Sequence, residues 1–137
     1  MRGAGWEVSM SNAITNADWQ NVLKLLMLTM LSDGRAYERQ ADTFVNTSLD
    51  LRTKLGVKGI HTRQMTMDWY IRNRTELVDI RTGETFENDL LSLIDSLDTL
   101  PNKKPLLKAF KNLTKLDETR SKKKITIAEA SRERWAV

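Results

Sequence analysis

Residues 16–34 read NADWQNVLKLLMLTMLSDG, and this stretch decides the fold. Its apolar side chains recur three or four positions apart, the spacing of one face of an α-helix. Further leucines fall on the other faces, so the helix suits a central position surrounded by other helices. Asn16 is a good N-cap for it. Ser32-Asp33-Gly34 predicts a sharp break, because glycine and aspartate tolerate the turn that closes a helix.

Amphipathic helices continue beyond the break, and no strand pattern competes with them. In order, they are bounded by Tyr37 and Gly56, Thr62 and Gly83, Phe86 and Pro101, Pro105 and Leu116, and Ile127 and the C-terminus. Asn73 is a point at which the second of these helices could divide. Thr126-Ile127-Ala128-Glu129 is a capping box, which predicts the start of the last helix. The sequence therefore predicts an all-α fold, a compact bundle of about six helices.

A weak internal repeat relates the two ends of the chain. The segments 25–44 and 106–135 both place an apolar helix before a polar break and a second helix that carries acidic and arginine residues. Such a plan is typical of an internally duplicated helical domain. We therefore expect two pseudo-repeated helix hairpins joined by middle helices.

Length and composition limit the possible classes of protein. A chain of 137 residues corresponds to one domain, and the absence of cysteine excludes disulfides and thiolate metal sites. No apolar run has the length of a signal peptide or a membrane span, so we expect a cytoplasmic protein. Residues 1–15 are predicted to form a flexible N-terminal extension, with Met10 as an alternative start, and residues 16–137 a single domain.

The segment from Val22 to Glu38 combines an apolar helix, an Asp-Gly turn and a second helix that begins with glutamate. It resembles the TerB-like (tellurite-resistance) family of helical domains, and Lys124-Ile125-Thr126-Ile127-Ala128-Glu129 looks like a second copy of the turn. The resemblance implies two related helix hairpins, a non-enzymatic stress-response role in complexes with protein partners, and binding of divalent cations by acidic residues at the turns.

Three carboxylates near the break are candidate metal ligands: Asp33, Glu38 and Asp42. Glu38 and Asp42 are four residues apart on one helix face, and oxygen ligands suit a divalent cation such as calcium. The EF-hand spacing is not met. Alternatively, these are a turn aspartate and first-turn acids that the helix dipole favours, and this interpretation needs fewer assumptions. No other cofactor is indicated.

A basic segment gives an alternative function. The net charge is +4, and much of the excess lies between residues 103 and 124. The candidate phosphate contacts are Lys108, Lys111, Lys115, Lys122, Lys123 and Lys124. Several of these lysines fall at helical spacing opposite an apolar stripe, so they also fit an ordinary solvated face. Trp69 and Tyr70, near several arginines, are a candidate stacking platform for single-stranded nucleic acid, and core packing beside an exposed basic edge explains these two residues as well.

Catalytic motifs are missing from the sequence. The chain has one histidine, His61, placed in a loop, and it lacks the nucleophile-elbow and phosphate-loop patterns. We therefore predict a non-enzymatic binding or adaptor module whose partner is an unidentified protein. The alternative is a regulatory protein that binds nucleic acid through the basic segment. The sequence does not indicate an oligomeric state.

Overall fold

The computed structural model describes residues 14–31, 38–100, 102–115 and 127–135. Within these ranges the chain forms six helices and no strand, which confirms the predicted all-α fold. The helices are α1 (Asn16–Met30), α2 (Glu38–Lys54), α3 (Arg63–Thr82), α4 (Phe86–Ser96), α5 (Lys104–Lys115) and α6 (Ile127–Trp135). None of the six combines the length and the apolar character that a bilayer crossing requires.

Helix α1 is the centre of the core. It packs against α2, α3, α4 and α5. Side chains on all its faces are inaccessible to solvent, including Leu23, Leu25, Leu26 and Leu28. This is the surrounded position that the all-round apolar pattern predicts.

The two predicted hairpins each bring consecutive helices into contact, α1 with α2 and α5 with α6. Helix α2 also packs against α3 and α5, while α4 packs against α3 and α6. Both polar breaks, residues 32–37 and 116–126, lie outside the described ranges. The packing therefore agrees with two hairpins joined by the middle helices, and the repeat itself stays a prediction.

The start of α1 differs from the prediction by one residue. Thr15, and not Asn16, is the N-cap: its backbone is extended and its hydroxyl accepts a hydrogen bond from the Asp18 amide at 3.1 Å. Asn16 is the first helical residue. Both residue types are good caps, so the sequence pattern does not distinguish these neighbouring positions.

Helix α3 begins as predicted and continues through the residue expected to divide it. The Thr62 hydroxyl accepts a hydrogen bond from the Met65 amide at 3.2 Å. The Asn73 side-chain amide donates to the Trp69 carbonyl at 2.8 Å, one turn earlier in the same helix. This bond occupies the polar group of Asn73 without disturbing the helix.

Helix α2 ends in a Schellman motif centred on Gly56. The Val57 amide donates to the Arg52 carbonyl and the Gly56 amide to the Thr53 carbonyl, both at 3.1 Å. Gly56 has a φ of 67°, the left-handed conformation that this motif requires. The loop to α3 therefore leaves the helix in a defined direction.

Candidate functional site

One surface cleft gathers the large apolar side chains that are exposed in the described part of the chain. The large hydrophobic side chains exposed among the described residues are Ile60 (86%), Met65 (45%) and Ile71 (52%). All three line a single cleft of about 630 Å³ between the start of α1, the end of α2 with its following loop, and the first half of α3. We call it the α1–α3 cleft. Clustered exposed apolar groups mark a binding surface more often than scattered ones do.

Two buried tryptophans support the cleft from below. Trp19 and Trp69 line it and are only 1% and 5% exposed. The Trp69 indole N–H donates to the Gln20 side-chain oxygen, and its ring stacks on Phe44 with 5.7 Å between centroids. The Trp19 indole N–H is buried and finds no hydrogen-bond partner within the described ranges. Packing on both rings gives the cleft a rigid floor.

The loop between α2 and α3 presents Ile60 to solvent. Gly59 has a φ of 103°, a backbone conformation that residues with side chains rarely adopt. The Arg52 guanidinium donates to the Lys58 carbonyl at 2.9 Å and so ties the loop back to α2. The exposed position of Ile60 is therefore built into the loop.

Two arginines supply positive charge to the cleft. The Arg52 guanidinium lies over the Trp19 ring, 5.3 Å from its centroid, and partial burial lowers the pKa of Arg52 from its ordinary value. Arg72 lines the cleft from α3, where its Nε donates to the Asp68 carbonyl at 3.3 Å. No carboxylate of the described part of the chain pairs with either guanidinium. Both cations therefore have unused hydrogen-bond donors.

His61 stands beside Arg52 at the cleft. Its Nε2 shares a 2.6 Å hydrogen bond with the Thr66 hydroxyl, and its ring meets Trp19 edge to face at 6.2 Å. Burial, and secondarily the charge of Arg52, lower the pKa of His61 below its usual 6.5. The ring is therefore uncharged at neutral pH and adds a polar contact without adding a charge.

The predicted metal ligands are only partly described. Asp33 and the side chain of Glu38 lie outside the described residues, and Asp42 is exposed on α2. The described part of the chain contains no group of three or more acidic or histidine side chains arranged to hold a metal ion. The cation site at Asp33, Glu38 and Asp42 thus stays a prediction.

The basic residues of α5 occupy its solvated side. Lys108 and Lys111 are exposed, while Leu106, Phe110 and Leu113 on the opposite side are buried. Lys122, Lys123, Lys124 and the side chain of Lys115 lie outside the described residues. The arrangement agrees with an amphipathic helix that presents lysines to solvent.

The predicted stacking platform is wrong. Trp69 is 5% exposed and Tyr70 2% exposed, because both rings pack against Phe44. A base cannot stack on a ring face that core residues already cover.

Sequence reasoning also missed the α1–α3 cleft, because the apolar pattern of α3 does not distinguish the exposed Ile71 from the buried residues beside it. Met65, Asp68 and Arg72 follow one another at helical spacing, and together with Ile71 they line the cleft. This mixture of apolar and charged residues along one helix face was the feature of the sequence that could have indicated the cleft.

Comparisons with protein families, with curated proteins and with solved structures give no match for this chain.

Proposed function

We propose that the chain is a non-enzymatic binding module of the adaptor type that acts through the α1–α3 cleft. The observation that carries this proposal is the convergence of Ile60, Met65 and Ile71, the exposed large hydrophobics of the described residues, on one cleft. Its volume of about 630 Å³ lies within the range of ligand-binding sites.

Covering these side chains provides the free energy for binding. Full burial of a leucine-sized side chain contributes about 1.5–3 kcal/mol. A few residues supply most of the binding free energy of an interface, and arginine and aromatic residues are common among them. The cleft has both types in contact, since Arg52 lies over the Trp19 ring. The wide exposure of Ile60 and Ile71 favours a polypeptide partner over a small enclosed ligand.

The TerB-like resemblance supports the same class of function, since it implies a non-enzymatic domain that works through protein partners. A weak divalent-cation site at Asp33, Glu38 and Asp42 is a subsidiary proposal. Titration of calcium, manganese and zinc while the melting temperature is followed tests it. We expect stabilisation that rises with free metal and is lost in Asp33→Ala; no shift in the wild type would reject the site.

Position-specific photo-cross-linking tests the adaptor role. A benzophenone amino acid replaces Ile60 or Ile71 in cells that express the chain, and Lys111 on α5 serves as the exposed control position. We expect the same protein to be cross-linked from both cleft positions and not from position 111. The purified pair should then bind, and Ile60→Ser should weaken that binding. Products that form equally from all three positions would contradict the proposal.

A second candidate function is nucleic-acid binding through α5, which carries four lysines and no acidic residue. Binding to DNA and RNA across salt concentrations tests it, with a variant in which Lys104, Lys108 and Lys111 become glutamine. A steep salt dependence that the variant flattens would support phosphate contacts. Undetectable wild-type binding near physiological salt would reject this function.

A further inference from the structure

We infer that the partner of the α1–α3 cleft is an acidic amphipathic segment, with apolar side chains that cover Ile60, Met65 and Ile71 and carboxylates that pair with Arg52 and Arg72. This inference rests on the proposed binding function and specifies the chemistry of the partner.

Arg52 is positioned to receive a carboxylate. A guanidinium has five N–H donors, and within the described ranges Arg52 uses one side of its fork for the Lys58 carbonyl. The cation–π contact with Trp19 and the hydrogen bond to the loop hold the group in place, so little side-chain entropy is lost when a partner binds. A fixed guanidinium fork is the preferred protein group for paired contacts to carboxylates.

Arg72 provides a second cation on the opposing helix. Its described hydrogen bond is a long one to a backbone carbonyl, which leaves its charge without a paired acid among the described residues. Asp68 is the one carboxylate among the described residues that line the cleft, and it already accepts a hydrogen bond from the Gln64 side chain at 2.8 Å. With His61 uncharged, the lining that the structure describes carries two cations, Arg52 and Arg72, against one anion, Asp68.

The apolar part of the cleft argues against a nucleic acid as the occupant. Ile60, Met65 and Ile71 line the cleft together with the two arginines, and Trp19 and Trp69 are buried at its floor. These aliphatic side chains offer no ring for a base to stack on. A peptide that alternates apolar and acidic residues satisfies both parts of the surface, as does an amphipathic helix that lies in a groove.

Selection from a random peptide library on the purified full chain tests the inference. Bound peptides are sequenced after selection on the wild type and, in parallel, on Ile60→Ser. Peptides that are enriched only on the wild type are the ones that depend on the cleft. We expect these peptides to be enriched in aspartate and glutamate next to leucine, isoleucine or phenylalanine.

Charge variants provide the decisive comparison. Arg72→Glu changes an exposed side chain that holds no loop in place, so the fold should persist. We expect Arg72→Glu to lower the affinity for the selected peptides by about tenfold. When the selection is repeated on this variant, lysine-rich peptides should be enriched. Lys111→Glu makes the same charge change on α5 and should leave both results unchanged. Arg52→Lys keeps the charge but loses the fork, and should also weaken binding.

The possible outcomes separate this inference from the proposed function. Cleft-dependent peptides that are neutral or basic would overturn the acidic partner and leave the binding module intact. A selection without any cleft-dependent peptide would overturn both. Enrichment of peptides that match a segment of this chain itself and contain no acidic residue would likewise reject the inference.

Discussion

The Trp135 indole N–H donates a hydrogen bond to the Ile94 carbonyl at 2.8 Å and ties the last described helix to α4. The ring is 6% exposed and packs near Phe110 of α5. We expect Trp135→Ala to lower the free energy of unfolding by about 3–5 kcal/mol, the range for truncation of a large buried aromatic. Trp135→Phe should cost less, since it keeps most of the packing. Urea denaturation followed by circular dichroism measures both.

The neighbouring residue provides a control for the Trp135 variants. Arg134 pairs with Asp95 at 2.8 Å, but both side chains are about half exposed. Because water and salt screen exposed pairs, Arg134→Gln should leave the denaturation midpoint close to that of the wild type. Equal losses from Trp135→Ala and Arg134→Gln would contradict the anchoring role of the tryptophan.

Gly56→Ala should destabilise the protein through the backbone alone. The φ of 67° disfavours any residue with a Cβ, while the space around that position is open, with no atom within 4 Å. We expect a loss of about 1 kcal/mol, and a smaller loss for Gly56→Asn, because asparagine tolerates the left-handed region better. Thermal denaturation measures both variants. A larger loss for asparagine than for alanine would show that sterics, and not φ, dominate.

Ser48→Ala is expected to stabilise the protein. The Ser48 hydroxyl is buried and lacks a hydrogen-bond partner within the described ranges, so alanine removes an unpaired polar group. The expected gain is about 1 kcal/mol. Thr29→Val is the matched control, because the buried Thr29 hydroxyl donates to the Leu25 carbonyl at 2.8 Å and its loss should bring no gain. Equal changes in melting temperature would contradict this distinction.

The titration of His61 should couple stability to pH. Because its pKa is lowered in the folded chain, the unfolded chain binds the proton more readily. The contribution of uncharged His61 to the free energy of unfolding is therefore complete above pH 6.5 and falls as the pH drops toward the pKa of the folded chain. His61→Gln should flatten this part of the stability profile.

The same titration can be observed directly by NMR. His61 is the single histidine, so one imidazole resonance reports its pKa. Burial is the larger cause of its shift and Arg52 the smaller one, so Arg52→Gln should raise the pKa only part of the way toward 6.5. A wild-type pKa at or above 6.5 would contradict the packed environment of the ring.

Elements that local chemistry determines were predictable from the sequence. Thr62 begins α3 and Gly56 ends α2 through contacts within a few residues, and both boundaries were predicted correctly. Ile127, Ser131 and Trp135 follow one another four residues apart along α6, and all three side chains are buried. Apolar residues spaced three or four positions apart predict burial well when one face of a helix packs against the core.

The cleft depends on contacts between distant segments, which sequence spacing does not report. Trp69 and Gln20 are 49 residues apart, and their hydrogen bond is part of what turns the Trp69 ring inward. Ile71 follows two buried aromatic residues and so has the sequence context of a core residue, yet it is 52% exposed. Helix α3 alone does not reveal which of its apolar side chains its neighbours leave uncovered.

The central position of α1 has a consequence for synthesis of the chain. Helix α1 is made before α5 but packs against it, and three other helices separate the two in the sequence. During translation its apolar faces therefore stay incompletely covered until α5 has left the ribosome. Transiently exposed apolar surface promotes aggregation. The nascent protein should consequently depend most on chaperones in the interval between the emergence of α1 and that of α5.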